Sequence, residues 1–420
     1  MEEKRLRWEM EDKMGLMGTT PSSGAAACVN GQAGDYGCKN IDLGAFVSHA
    51  DLGSTIRRGS DIWGWTDANG NEYAIACCAD GTSFVDVTDP EAPVVLGFLP
   101  TQTVPSNWRD VKVYEGHAYI GSEALDHGMQ VFDLHQLTAA TEKHRMSKES
   151  PRDIAVDGHA KLGLTLNNTA FYHEFGSSHN IVINEASGFL YAVGTKTCAG
   201  GLHIVDIHDP ADPQFVACYS DDGYTHDSEC VIYSGPDAAY QGHEICFNYN
   251  EDTLTIVDVT DKNNMEMLCR VGYEGAKYTH QGWLNDAQTR LVMDDEKDEQ
   301  SYAPLNGHTR TIVWDVESLA NPFIIGNIDS AEVAIDHNQY VHNNYVWQSN
   351  YCAGLRVLDE AGMNPADMKE RAYFDVSPEC DTAEFSGAWS VYPFFASGNM
   401  IVQSIEKGLF VMKPDYAGMK

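Results

Sequence analysis

Four histidines stand at matched places along this chain. His179 in SSHNIV, His226 in YTHDSEC, His280 in YTHQGW and His337 in AIDHNQYV each open a short apolar run. Imidazole nitrogen suits zinc, copper or iron, and nearby carboxylates can ligate the same ion or orient the rings. The carboxylates that recur between apolar runs are Glu123 in GSEALDHG, Glu296 in DDEKDE and Glu406 in SIEKG. The expected chemistry is a transition-metal site (Zn, Fe, Cu or Mn) held by the four His and these three Glu. His127, Asp227, Asn180 and Asn338 are expected to orient ligands or line the channel. Because a ligating His must be neutral, such a metal is expected to loosen as pH falls towards about 6. The plainer alternative is a wet polar channel, with each ring satisfied by water and backbone. The run Asp294, Asp295, Glu296, Asp298, Glu299 could take calcium, but its spacing is not an EF-hand loop and a solvated acidic turn fits equally. Cys77, Cys78, Cys198 and Cys352 sit in comparable turns and could be soft ligands, although disulfides or inert thiols explain them as well.

What would place these residues together is a repeat. GTSFVDVTDP, GMQVFDL, GLHIVDIHDP, TLTIVDVTD, RTIVWDV, GLRVLDE and GLFVMKP end their apolar runs at Asp86, Asp133, Asp206, Asp258, Asp315, Asp359 and Lys413. Each is a Gly-bounded alternating run closed by Asp or Pro, the pattern of a strand with turn punctuation. Two further apolar runs precede each copy. A fourth follows most of them, as in PVVLGFLP, PQFVACYS and PFIIGNID. Four short strands repeated seven times predict an all-β, seven-bladed β-propeller.

The last copy has no fourth strand after it, whereas NIDLGAFVS (40–48) has the fourth-strand pattern and no blade of its own. That strand is expected to complete blade seven and close the ring, which removes an open edge. The long interval between Asp133 and Asp206 contains an insertion at about 138–170, and TEKHRMSKESPRD within it reads as an exposed, mobile loop. The predicted layout is an N-terminal extension over 1–38, a propeller over 39–413 and a tail over 414–420.

In this register the four His fall at the entry to the innermost strand of successive blades. Trp63, Trp108 and Trp389 are assigned the same place in the other three. A ring of imidazoles and indoles at one channel mouth is therefore predicted.

The chain has 420 residues, with 27 Lys plus Arg against 62 Asp plus Glu, a net charge of −35. Such a surface repels nucleic acid and attracts cations, so no nucleic-acid partner is expected. No apolar run is long enough for a membrane span, and MEEKRLRWEMEDKMGLMG has no apolar signal core. Eleven cysteines favour an oxidising compartment; Cys28 with Cys38, and Cys230 with Cys218 or Cys246, are candidate bridges. GxSxG, HExxH and phosphate-loop motifs are missing.

The stretches DIWGWTD, WRDVKVYEGHAYI, SSHNIVINE, YTHDSECVIYSGPD, SNYCAGLRVLD and GAWSVYPFFASG together resemble the choice-of-anchor B proteins, which overlap the LVIVD-repeat proteins. The resemblance implies a propeller and an extracellular or cell-surface location, and it implies no general activity. Two functions remain as expectations. One is a metal-dependent enzyme at the channel mouth, of oxidoreductase or hydrolase type, taking a small molecule or glycan. The other is a non-catalytic extracellular binding or adhesion scaffold.

Overall fold

The computed structural model describes Lys4, Trp8, residues 20–146 and residues 160–420. Seven antiparallel sheets follow one another around an axis. Blade one runs from its innermost strand Gly59–Thr66 through Glu72–Cys78 and Gly81–Asp86 to Val94–Pro100. The innermost strands of blades two to seven are Arg109–Tyr114, Asn180–Asn184, Asp227–Ile232, Thr279–Leu284, Gln339–His342 and Ala388–Tyr392. Blades pack face to face, so their middle strands are buried on both sides and read as continuous apolar runs rather than alternating ones. Glu72–Cys78 is buried at every position. Between blades one and two, Tyr73, Ile75 and Phe84 meet Val111, Ile120 and Phe132.

The ring closes as the sequence predicts. Ile41–Ser48 pairs antiparallel with Gly408–Pro414 as the outer strand of blade seven, with Phe46 opposite Phe410 and Ser48 opposite Gly408. Gly44 allows this strand to lie against the next blade, because a Cβ there would meet the Pro90 carbonyl oxygen at 2.6 Å.

The stretch before it is also sheet-bound. Gln32–Ala33 and Tyr36–Lys39 extend the outer edge of blade six, with Cys38 opposite Phe374. The insertion differs from the expected loop. Residues 141–146 belong to the helix His135–Met146, and residues 147–153 lie outside the described residues. Ala160–Thr165 then adds a fifth, parallel strand to blade one. Among the described residues no helix is long and apolar enough to cross a membrane.

Four disulfides brace the ring: Cys28–Cys38, Cys198–Cys218, Cys230–Cys246 and Cys352–Cys380. Cys218 therefore pairs with Cys198 rather than Cys230. Cys198 and Cys352 are spent in bridges, which removes them as soft metal ligands. Cys77, Cys78 and Cys269 are free thiols. Burial pushes the Cys77 thiol up to about 12, which makes it inert at neutral pH. Alkylation of the unfolded chain should therefore label three thiols without reductant and all 11 with it. More than three labels in unreduced protein would remove a bridge from this pattern.

Candidate metal centre

Each innermost strand begins at the same mouth of the axis, so its first residues crowd together there. His179, His226, His280 and His337 form a continuous arc with ring centroids 4.2, 4.3 and 4.4 Å apart. Trp389 of blade seven continues it, 5.1 Å from His337. Trp63 does not belong to this arc. It lies four residues into its strand, packed on Tyr340 and Tyr392 beyond the other end of the axis. The blade-one residue at the mouth is Arg58, directly before Gly59.

The mouth also receives two residues from the far N-terminus. Trp8 is fully buried, 5.3 Å from Trp108 and 6.2 Å from Trp389. The Arg58 guanidinium lies over its ring and donates to its carbonyl at 3.1 Å. Lys4 reaches further in. Its ammonium contacts the Glu296 carboxylate, donates to the Tyr351 hydroxyl at 3.1 Å and lies 4.4 Å from the Phe385 ring.

The tautomers of the arc follow from its hydrogen bonds. Every Nδ1 faces an oxygen: Glu123 at 2.5 Å for His179, the His280 carbonyl at 2.9 Å for His226, Asp294 at 2.8 Å for His280, and the Trp389 carbonyl at 2.6 Å for His337. Nδ1 therefore donates, and Nε2 carries the lone pair. This is the arrangement that prepares an imidazole to ligate. His280, His337 and Glu296, all buried, bring their ligand atoms within 4.8 Å of one another. Glu296 lies 3.4 Å from His337 Nε2 and accepts from Tyr351 at 2.6 Å.

Electrostatics favour the ligating forms. Burial, then the charge of His179, holds His226 well below the usual imidazole range. Burial, then His226 and His337, does the same for His280. Burial brings His337 down to about 4, against the opposing pull of Glu296. For Glu296 burial acts upward, but Lys4 and His337 outweigh it and hold the carboxyl at about 2.

The other expected residues are distributed unevenly. Glu123 orients His179. Glu406 accepts the Gly387 N–H at 2.9 Å and stands outside the trio. Asn180 donates to the His226 carbonyl at 3.2 Å, and the Asn338 carbonyl accepts from Ser349 within its sheet. His127 is buried against Arg109, and Asp227 faces the cavity at the other end. Asp294, read from sequence only as part of an acidic run, is the partner that orients His280. That run is not a solvated turn: its five carboxylates are at most 5% exposed. Asp295 accepts from Tyr273, Lys277 and Tyr278, Asp298 pairs with Arg310, and Glu299 accepts the Asp336 N–H. Cys198, His203 and Cys218 also cluster, but the bridge uses both sulfurs.

Buried titratable groups away from this centre predict how stability depends on pH. Burial, then the charge of Asp227, raises Glu229 to about 8, so its folded pKa exceeds the unfolded one and its contribution is lost as pH rises towards 8. Burial lowers His49, His127 and His203 to about 4, so their contribution is lost as pH falls from about 6.5 to 4. The melting temperature should fall as pH rises towards 8, and Glu229→Gln should lessen that fall. A melting temperature that climbs steadily to pH 8.5 would contradict this.

An LVIVD-repeat model matches residues 188–221, which run from the second to the outer strand of blade three. No curated protein matches the chain. Among solved structures, the β-propeller domain of Myceliophteria thermophila Cps50 (Swd1) aligns at 9% identity, over 84% of this chain and 96% of that one, with a TM-score of 0.50. The computationally designed Ika8 protein aligns at 10% identity, over 93% and 96%, with a TM-score of 0.49. At these identities the first likeness speaks to the fold alone.

Proposed function

We propose that this LVIVD-repeat propeller is a metal-dependent enzyme whose ion sits at the channel mouth on His280, His337 and Glu296. The observation that carries this reading is the buried trio within 4.8 Å, with both imidazoles anchored through Nδ1. Two His and one carboxylate match zinc hydrolase centres and non-haem iron oxygenase centres, both of which keep open positions. When bound, such an ion would supply Lewis-acid or oxygen chemistry. His226 and His179 continue the arc beside it, and Tyr351 donates to the carboxylate. The choice-of-anchor B kinship and the extracellular location belong to this proposal as well. The order of the motifs supports the first, and four disulfides are in keeping with the second.

Lys4 favours a second reading. Its ammonium already neutralises Glu296, as a metal ion would, and with Trp8 it seals the mouth of a non-catalytic scaffold.

Titrating metal-depleted protein with Zn²⁺, Fe²⁺, Mn²⁺ and Cu²⁺ separates the two. The metal reading expects one equivalent bound, and loss of that binding in His280→Ala and His337→Ala. Wild-type protein that takes up none of the four ions leaves the sealed scaffold. The depressed imidazoles also revise the expected pH limit. A bound metal should survive at pH 6 and be released only as pH approaches about 4, where His337 protonates. Release already complete at pH 6 would mean that these imidazoles are not the ligands.

A further inference from the structure

The innermost strands lead away from the His arc to a second concavity of about 410 Å³. Trp63, Trp283, Tyr340, Tyr392 and Phe394 give it aromatic walls, with Trp283 and Tyr340 edge to face at 4.9 Å. Its size lies within the range of small-molecule sites.

The polar groups of the wall are unequal. The Lys112 ammonium has three donors and meets Asp61 at 3.1 Å, Asp110 at 2.7 Å and the Val111 carbonyl at 3.1 Å. It therefore offers little to an anion. Asn184 donates to Glu244, Ser228 to Asn248 and Gln281 to the Gln339 carbonyl. Asp227 and Glu229, two apart on one strand, face the cavity together. Each has one oxygen held by a backbone N–H, Ser228 at 2.8 Å and Leu284 at 2.7 Å. Among the described residues the second oxygen of each makes no hydrogen bond. The wall thus presents acceptors and aromatic faces, inside a chain of net charge −35. A donor-only head on an apolar body complements it.

We infer that this cavity is a second binding site, for a small organic ammonium ion whose head meets Asp227 and Glu229 and whose body lies against Trp63, Trp283 and Phe394. The site is independent of the metal reading.

Protonation supports it. Burial first and Asp227 second raise Glu229 to about 8. Asp61 and Asp110 offset Lys112 from blades one and two, and Glu185 stands at the rim. An ammonium ion favours the ionised carboxylates, so affinity should rise with pH and protons should be released on binding.

Calorimetric titration of the full chain with phenethylamine, benzylamine and the neutral phenethyl alcohol tests this. At least one ammonium ion should bind, about tenfold more tightly at pH 8 than at pH 6, and more tightly than the alcohol. Glu229→Gln keeps an acceptor for Leu284 and should weaken binding about tenfold or more while flattening the pH dependence. Asp227→Asn should also weaken it, which guards against one variant failing to fold. No heat from either ammonium ion, equal affinity for the alcohol, or unchanged affinity in both variants would overturn the assignment.

Discussion

Removing residues 1–48 should abolish cooperative folding, whereas removing residues 1–19 should leave the ring closed. The strand Ile41–Ser48 is the outer strand of blade seven. Its Ile41, Leu43, Phe46 and Val47 are at most 2% exposed, and Phe46 packs on Phe410 with ring centroids 4.7 Å apart. Burying each such side chain contributes roughly 1.5–3 kcal/mol. The four together approach the about 5–15 kcal/mol net stability of an ordinary domain. Their loss would also expose the third strand of blade seven as an open edge prone to pairing with other chains. Circular dichroism melts of the two truncations decide the matter. A soluble 49–420 fragment with a sharp transition near that of the full chain would show that this strand does not close the ring.

Glu296→Ala should have the largest effect on the proposed metal centre. Glu296 is the acidic member of the trio, and it also receives Lys4 and Tyr351. Its removal takes away a ligand and leaves the Lys4 ammonium buried without its carboxylate. Losing one partner of a buried ion pair costs about 3–5 kcal/mol when the other cannot move. Lys4 belongs to the terminal segment, so its escape to water would limit the cost and carry Trp8 out of its contacts with Trp108 and Trp389. The expected result is metal affinity lowered about a hundredfold or more, with a red-shifted tryptophan emission and a smaller change in melting temperature. Lys4→Met should act in the opposite sense on the metal, because it removes a competing cation from Glu296. Metal bound equally by wild type, Glu296→Ala and Lys4→Met would place the ion elsewhere.

The blades were legible because each repeats a short alternating run rich in Val and Ile that in six of seven copies closes on Asp, and seven such units with one strand displaced to the N-terminus fit a closed propeller. The arc of His179, His226, His280 and His337 was legible for the same reason. Equal positions in successive repeats are related by the axis, so equal residues there must become neighbours. The Cys28–Cys38 bridge was readable from a short Gly-rich loop.

Tertiary structure alone decided the rest. Arg58 rather than Trp63 reaches the mouth, because Trp63 lies four residues into its strand and so lines the opposite end, as Trp283 does in blade five. Asp294 and Glu296 are buried in the centre although their run looks like a solvated turn, since local charge density does not reveal which face a neighbouring blade will cover. Lys4 meets Glu296 across 292 residues and Trp8 meets Phe385 across 377. Neither contact belongs to a period, so only the closed ring, which brings the chain's beginning back to its last three blades, could place them.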